Sequence, residues 1–196
     1  MNFLITGHTG FIGRSLTPVL IELFNESKFK LISRSFNSDL NYNNTIQHQI
    51  DLSKDFELSL LDDIDILINL AGEVKDNNKM QRLHVNFVED SLNYIKKKNL
   101  KLFWLQLSSV GSYGAPLKPS EKRFIDEKCK LKPIGQYEIT KSIADKKIIE
   151  FAIMNNNFSY CVARPSQVIG KEMINRSLLN LIKMVKKKLY FTIGSR

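Results

Sequence analysis

Apolar and polar positions along this chain switch between two periods. Phe3-Leu4-Ile5 is a short apolar run that predicts a buried strand, and from 11 to 25 the residues Ile12, Leu16, Val19, Leu20 and Leu23 recur at helical spacing before Asn25. A short strand follows at 29 to 33, then a polar, turn-rich loop at 35 to 44. Ile46, His48 and Ile50 alternate as a half-buried strand, and Ile64 to Leu70 reads as the next one. A helix over about 79 to 97, a strand from Leu100 to Leu107, a long helix over about 134 to 155 and a strand at 158 to 163 complete the pattern. Between them, Gly111 to Lys132 carries Gly111, Gly114, Pro116 and Pro119 and reads as an ordered active-site loop or a flexible excursion. Strands alternating with helices predict a doubly wound α/β fold, a parallel sheet with right-handed crossovers and helices on both faces.

Composition narrows the class. With 196 residues, 43% hydrophobic and 25% charged, the chain has the material for one globular domain with a real core. No apolar stretch approaches the roughly 18 residues of a membrane span, and Met1 to Thr6 lacks the basic flank and apolar run of a secretion signal. The expectation is a cytoplasmic protein with no membrane partner. Cys129 and Cys161 are too few and too far apart for a disulfide framework or a metal site, so no metal is expected. The net charge of +9 gathers in Lys96-Lys97-Lys98, Lys146-Lys147 and Lys186-Lys187-Lys188, on the ends or polar faces of amphipathic stretches. There is no aromatic-interleaved basic patch, zinc finger or helix-turn-helix, so nucleic acid is not an expected partner.

Thr6-Gly7-His8-Thr9-Gly10-Phe11-Ile12-Gly13 is a GxxGxxG run lying between the first strand and the first helix. Glycines there let the backbone turn tightly and approach a pyrophosphate, while the helix N-terminus aims unpaired N–H groups at its charge. His8 reads as an exposed loop histidine and Thr9 as a phosphate contact. Further strand ends carry suitable groups: Ser33-Arg34 about 20 residues past the glycines, where a ribose selector belongs, then Asp51-Leu52, then Asn69-Leu70-Ala71-Gly72. Asp51 could accept the adenine amino hydrogen, or simply precede an N-cap at Ser53.

A second constellation carries chemistry. Tyr137 and Lys141 are four apart on a helix and share a face, and Ser109 ends the fifth strand. An ammonium near the phenol, together with an oxidised nicotinamide, would favour phenolate, making Tyr137 a general base. Ser109 would bond the substrate oxygen. Tyr113 and Lys146 are alternatives at this stage, and Glu138 reads as an exposed helix glutamate.

With these residues in hand, the chain resembles the extended short-chain dehydrogenase/reductases, the epimerase/dehydratase family that works on nucleotide-activated sugars. The resemblance runs from Gly7 to Gly170 through six segments in order: the glycine turn, Asp51-Leu52, Asn69 to Gly72, Ser109 ahead of Gly114, Asp126-Glu127 with Pro133 and Tyr137-x-x-x-Lys141, and Arg164-Pro165 with Val168 and Gly170. It implies a Rossmann-type domain over 1–170 with Ser109, Tyr137 and Lys141 as catalytic triad. It also implies that Gly7, Thr9, Gly10, Phe11, Ile12, Arg34, Asp51, Leu52, Leu70, Ala71, Gly72 and Asn86 contact the cofactor. Asn86 matches the family asparagine of the helix after the fourth strand. Lys141 and Tyr137 would hold the nicotinamide ribose, and Pro165 and Val168 would flank the carboxamide. The family's acidic ribose selector is missing, with Arg34 in its neighbourhood, so the expected cofactor is NADP or NAD with a lean to NADP. Residues 171–196 are expected to hold only the first helix and strand of an incomplete C-terminal substrate lobe. Epimerase, dehydratase and reductase remain open, a homodimer is among the expectations, and a non-catalytic NAD(P)-binding module is the alternative.

Overall fold

The computed structural model describes residues 1–40, 42–54, 56–115, 122–170, 173 and 177–189. Six strands, β1 (Asn2–Thr6), β2 (Lys28–Ser33), β3 (Thr45–Gln49), β4 (Ile66–Asn69), β5 (Leu102–Leu107) and β6 (Phe158–Ala163), form one sheet in the order β3-β2-β1-β4-β5-β6. Every pairing is parallel. The chain leaves β1 in one direction for β2 and β3 and in the other for β4 to β6. The topological switch point therefore falls at the carboxyl ends of β1 and β4, where doubly wound sheets open a crevice.

Alternation along the inner strands feeds two cores. Phe3, Ile5, Phe29, Leu31 and Ile68 pack on one face with Ile21 of α1 (Phe11–Leu23). Leu4, Ile32, Leu67 and Trp104 pack on the other, against Val88 and Leu92 of α3 (Phe87–Lys98) and Ile148 of α4 (Gln136–Met154). Each such side chain contributes about 1.5–3 kcal/mol by leaving water. Across β1, β4 and β5 the register aligns Thr6, Asn69 and Gln106. Thr6 Oγ1 donates to Asn69 Oδ1 at 2.6 Å, and Asn69 Nδ2 donates to Gln106 Oε1 at 2.8 Å. This buried polar ladder ties the ends of the strands beneath the crevice.

Three expectations shift. The buried line of α1 is Gly13, Thr17 and Ile21, so Val19 and Leu23 face out at 49% and 70% exposure. Small residues at 13 and 17 let the helix close onto the sheet, and the bulkier Ile12, Leu16 and Leu20 flank that line half-buried. Ile46 in β3 is 61% exposed, because β3 is an edge strand and the described part of its connection to β4 carries only a 3-10 turn, Leu58–Leu61. The helix expected over 79 to 97 is a short α2 (Asn77–Met80), a π-helical turn Gln81–Asn86, and α3. Asp76 starts it by accepting from the N–H groups of Asn78 and Lys79, and Asn99 in the left-handed region, φ 51°, ends it.

A last helix, α5 (Ser177–Lys186), lies in the region expected to open a substrate lobe. The strand expected after it, like Pro116 and Pro119 of the long loop, lies outside the described residues. Among the described residues no helix is long and apolar enough to cross a membrane.

Candidate functional site

At the switch point the backbone between β1 and α1 makes a tight turn. Gly7 has φ +72°, and a Cβ there would stand 2.8 Å from Ala71 N, so both the conformation and the close approach of the β4 loop require glycine. Gly10 N–H closes the turn on Gly7 O at 2.9 Å. The helix then starts without a side-chain cap, its first intrahelical bond running from Arg14 N–H to Gly10 O. The N–H groups of Phe11, Ile12 and Gly13 precede that bond, at the positive end of the helix dipole.

A groove of about 470 Å³ opens in front of this turn. Gly7, Thr9, Gly10, Phe11 and Ile12 line its centre, Arg34, Asp51 and Leu52 one end, and Leu70, Ala71, Gly72 and Tyr137 the other. Asp51 Oδ1 accepts from Ser53 Oγ at 2.7 Å and Ser53 N–H at 3.1 Å. The Ser53 hydroxyl above all, with the charges of Lys54 and Arg34, holds that carboxyl below its usual range. Glu73 lines the groove too. Its carboxylate accepts from the N–H groups of Lys75 and Val74, and these bonds keep it ionised.

Lys141, 2% exposed, lies behind the groove wall. Its ammonium donates to Leu107 O at 3.0 Å and Ala71 O at 3.4 Å, bridging the ends of β5 and β4. Burial lowers its pKa to about 8, with Asp145 one turn further along α4 opposing the shift. Ser109 caps the 3-10 turn Val110–Tyr113 by accepting from Gly111 N–H at 3.1 Å, an acceptor role that leaves its own hydrogen available to donate. Glu138 lies against Gly111, where a Cβ would meet its Cγ at 2.9 Å, so the turn after Ser109 and the first turn of α4 are in contact. The turn after Ser109 thus meets the first turn of α4, which carries Tyr137, and Lys141 reaches the end of β5 through Leu107 O; Ser109 itself does not line the groove.

Several expectations are corrected. His8 is fully buried, its ring against Gln47 Oε1 at 3.3 Å, and burial lowers its pKa. Glu138 is half-buried rather than an exposed helix glutamate. Asn86 does not line the groove: it is exposed and borders a separate hollow with Lys54 and Arg82. Tyr137 is not biased toward phenolate by the protein alone, because burial first, then Glu138 and Asp145, raise its pKa. Tyr113 and Lys146 drop out as alternatives. The Tyr113 hydroxyl accepts from Arg164 Nη1 at 2.9 Å, and Lys146 pairs on the surface with Glu150. Pro165 and Val168 stand near the groove without lining it: Pro165 O accepts from Val110 N–H at 3.1 Å, and a Cβ on Gly170 would meet the Phe11 ring at 3.1 Å. Their segment therefore runs from beside Ser109 to the start of α1.

Two features escaped the sequence reading. Asp145 is fully buried and accepts from Ser108 Oγ at 2.7 Å and Arg164 Nε at 2.9 Å, tying α4 to the ends of β5 and β6. Its spacing of four from Lys141 was the available signal. His84, in the π-helical turn, is 1% exposed and makes a T-shaped contact with the Tyr137 ring, centroids 5.5 Å apart.

The model of the family described as the NAD dependent epimerase/dehydratase family matches residues 3–194. Solved structures with the same fold include the UDP-glucuronic acid 4-epimerase of Bacillus cereus in complex with NAD, with a TM-score of 0.77 and 20% identity over 96% of this chain and 63% of that one. The dTDP-glucose 4,6-dehydratase of Bacillus anthracis in complex with NAD gives 0.74 and 23% over 96% of this chain and 61% of that one. The UDP-glucose 4-epimerase of Thermotoga maritima with UDP-glucose gives 0.69 and 22% over 84% and 55%. The chain spans less than two thirds of the length of these structures. No curated protein matches it.

Proposed function

The chain belongs to the NAD-dependent epimerase/dehydratase family, and from that premise we propose that it is an NAD(P)-dependent enzyme acting on a nucleotide-activated sugar, with Tyr137 as its acid–base group. The observation that carries this reading is Tyr137 lining the groove beside Gly72, with the Lys141 ammonium buried behind the same wall. The residues fit a dinucleotide: Gly7 and Gly13 let the β1 turn pack directly on the β4 loop and α1, where a Cβ would strike backbone, and the first-turn N–H groups of α1 beside the groove suit a pyrophosphate. Arg34 and Asp51 would hold the adenosine end, and Tyr137 and Lys141 the nicotinamide ribose. When bound, the oxidised nicotinamide supplies a hydride acceptor and a positive charge near the phenol.

Burial keeps the Tyr137 phenol protonated until a cation faces it, which matches base strength to the loaded enzyme. Tyr137 then takes the proton of a sugar hydroxyl, Ser109 donates to the same oxygen, and Lys141 steadies the phenolate. Ala71 O and Leu107 O fix where that ammonium stands. The experiment is to incubate the protein with each cofactor and a panel of UDP- and dTDP-sugars, following reduced-nicotinamide absorbance and product identity. Binding of neither NAD nor NADP, or turnover unaffected by Tyr137→Phe, would sink the reading.

A further inference from the structure

His84 has a partner on each ring nitrogen, one on the loop that lines the groove and the other on the helix turn that carries Tyr137. The Glu73 backbone N–H donates to Nε2 at 3.0 Å, and Nδ1 stands 2.8 Å from Thr140 Oγ1. A backbone N–H can only donate, so Nε2 is the acceptor and the hydrogen of the neutral ring sits on Nδ1. That hydrogen goes to Thr140 Oγ1. The threonine hydroxyl in turn donates to Gln136 O at 3.0 Å or Tyr137 O at 3.1 Å. One directional chain therefore runs from the loop after β4, through the imidazole, to the first turn of α4.

The surroundings leave the ring a single state. Burial first, and the charge of Lys141 second, push its pKa down to about 3, so it stays neutral wherever a tyrosine base would work. A Cβ on Gly72 would stand 3.6 Å from His84 Nε2 and 3.7 Å from Lys141 Nζ, so the imidazole and the ammonium converge behind the same stretch of groove wall. The imidazole and the Tyr137 ring also meet in a T-shaped contact at an interplanar angle of 83°. A histidine filling core space would need neither both bonds nor this placement. It sits in a π-helical turn, a local departure from regular helix that recurs at functional sites.

We propose that His84 is a positioning residue for Tyr137: its two hydrogen bonds clamp the Gly72-Glu73 loop to the turn that carries the base, and so set where the phenol stands relative to Lys141. This rests on the reading of Tyr137 as the base.

The test is the titration of the Tyr137 phenol in the full chain saturated with NAD. It is followed by carbon NMR of ring-labelled tyrosine, with the signal assigned by its loss in Tyr137→Phe. Thr140→Val keeps the shape of the helix and removes only the link, and His84→Phe keeps a ring and removes both bonds. Each should raise the Tyr137 midpoint by about one pH unit, on the order of tenfold in proton affinity. His84→Asn carries an amide N–H on the same branch as Nδ1 but nothing that reaches the Glu73 N–H, so it should leave the midpoint raised as well. With a nucleotide sugar that turns over, kcat in Thr140→Val and His84→Phe should fall about tenfold with KM little changed. A Tyr137 midpoint that stays put in both Thr140→Val and His84→Phe overturns the clamp, a result that a change in folding stability alone cannot mimic. Turnover surviving Tyr137→Phe sinks the base instead; turnover lost in Tyr137→Phe with unmoved midpoints sinks the clamp alone.

Discussion

Replacing Gly13 with alanine puts a methyl group where the backbone leaves no room. The new Cβ would stand 2.6 Å from His8 Cα and 2.8 Å from His8 C, and closer still to the Gly7 carbonyl oxygen. Carbon atoms in ordinary contact are about 3.5 Å apart, so α1 would have to withdraw from the β1 turn by about 1 Å. All three neighbours are backbone atoms of a turn whose shape is fixed by the bond from Gly10 N–H to Gly7 O. Overpacking costs about 1–3 kcal/mol even where side chains can adjust, and the upper end is expected here. For a chain of this size that corresponds to a fall in Tm of roughly 5–10 °C. The N–H groups of the first helical turn move with the helix, so NAD affinity should also fall by about tenfold or more, one mispositioned charge-assisted contact. Gly10→Ala is the control, since its Cβ meets only Gly7 O, at 3.1 Å, and should cost less than half as much stability. Thermal denaturation and calorimetry with NAD read both effects. A Gly13→Ala protein that melts like wild type, or is hurt less than Gly10→Ala, refutes the close-approach argument.

Tyr137→Phe should keep cofactor affinity nearly intact while turnover falls by on the order of a hundredfold or more, as kinetics and calorimetry on the same preparation would show. Arg34 lines the groove and its positive charge is felt by both Asp51 and Glu73, so it is placed to meet a phosphate on the ribose. NADPH should bind more tightly than NADH by about 1–3 kcal/mol, and Arg34→Ala should erase the difference; equal affinities in wild type would dispose of the idea. Lys141 has a folded pKa of about 8, below its ordinary 10.5, so between those values the unfolded chain holds a proton that the folded chain has released. Wild-type stability relative to Lys141→Met should therefore rise as pH goes from about 8 to 10.5. Denaturant melts of the two proteins that stay parallel across that window would contradict the buried-ammonium geometry.

The sheet was readable because its inner strands are short apolar runs closed by turn residues, a signal that needs no partner to interpret. Phe158 to Ala163 falls where it is expected, and the alternation of strands with helices leads to the observed parallel order. The faces of the helices were harder. In α1, helical spacing alone selects Val19 and Leu23 as readily as Ile21, and what decides is the close packing of Gly13 against the β1 turn, a tertiary fact. The edge strand misled for a related reason. Ile46 alternates properly with His48 and Ile50, yet burial also needs a covering layer, and the described β3 to β4 connection supplies only a 3-10 turn there.

For the site, what the sequence carries well is residue identity at strand ends; what it carries poorly is direction. Asn86 and His84 show the difference. Phe87 and Val88 face the core, and a helix returns to the same face after three or four residues, which selects position 84 and leaves 86 pointing away. Residue type alone pointed to Asn86, whereas the helix face puts His84 against Tyr137. The same argument separates Lys141 from Lys146 on α4. Position 141 shares its buried face with Ala144, Asp145 and Ile148, whereas 146 turns outward to Glu150. Charge near the phenol follows from these directions, and its sign could not be read from spacing. Burial first, then Glu138 and Asp145 on the same helix, raise the Tyr137 pKa, while Lys141 is held by two carbonyls. With Tyr137 as the proposed base, such a site would hold it in reserve until a cation arrives and so tie proton abstraction to occupancy of the groove.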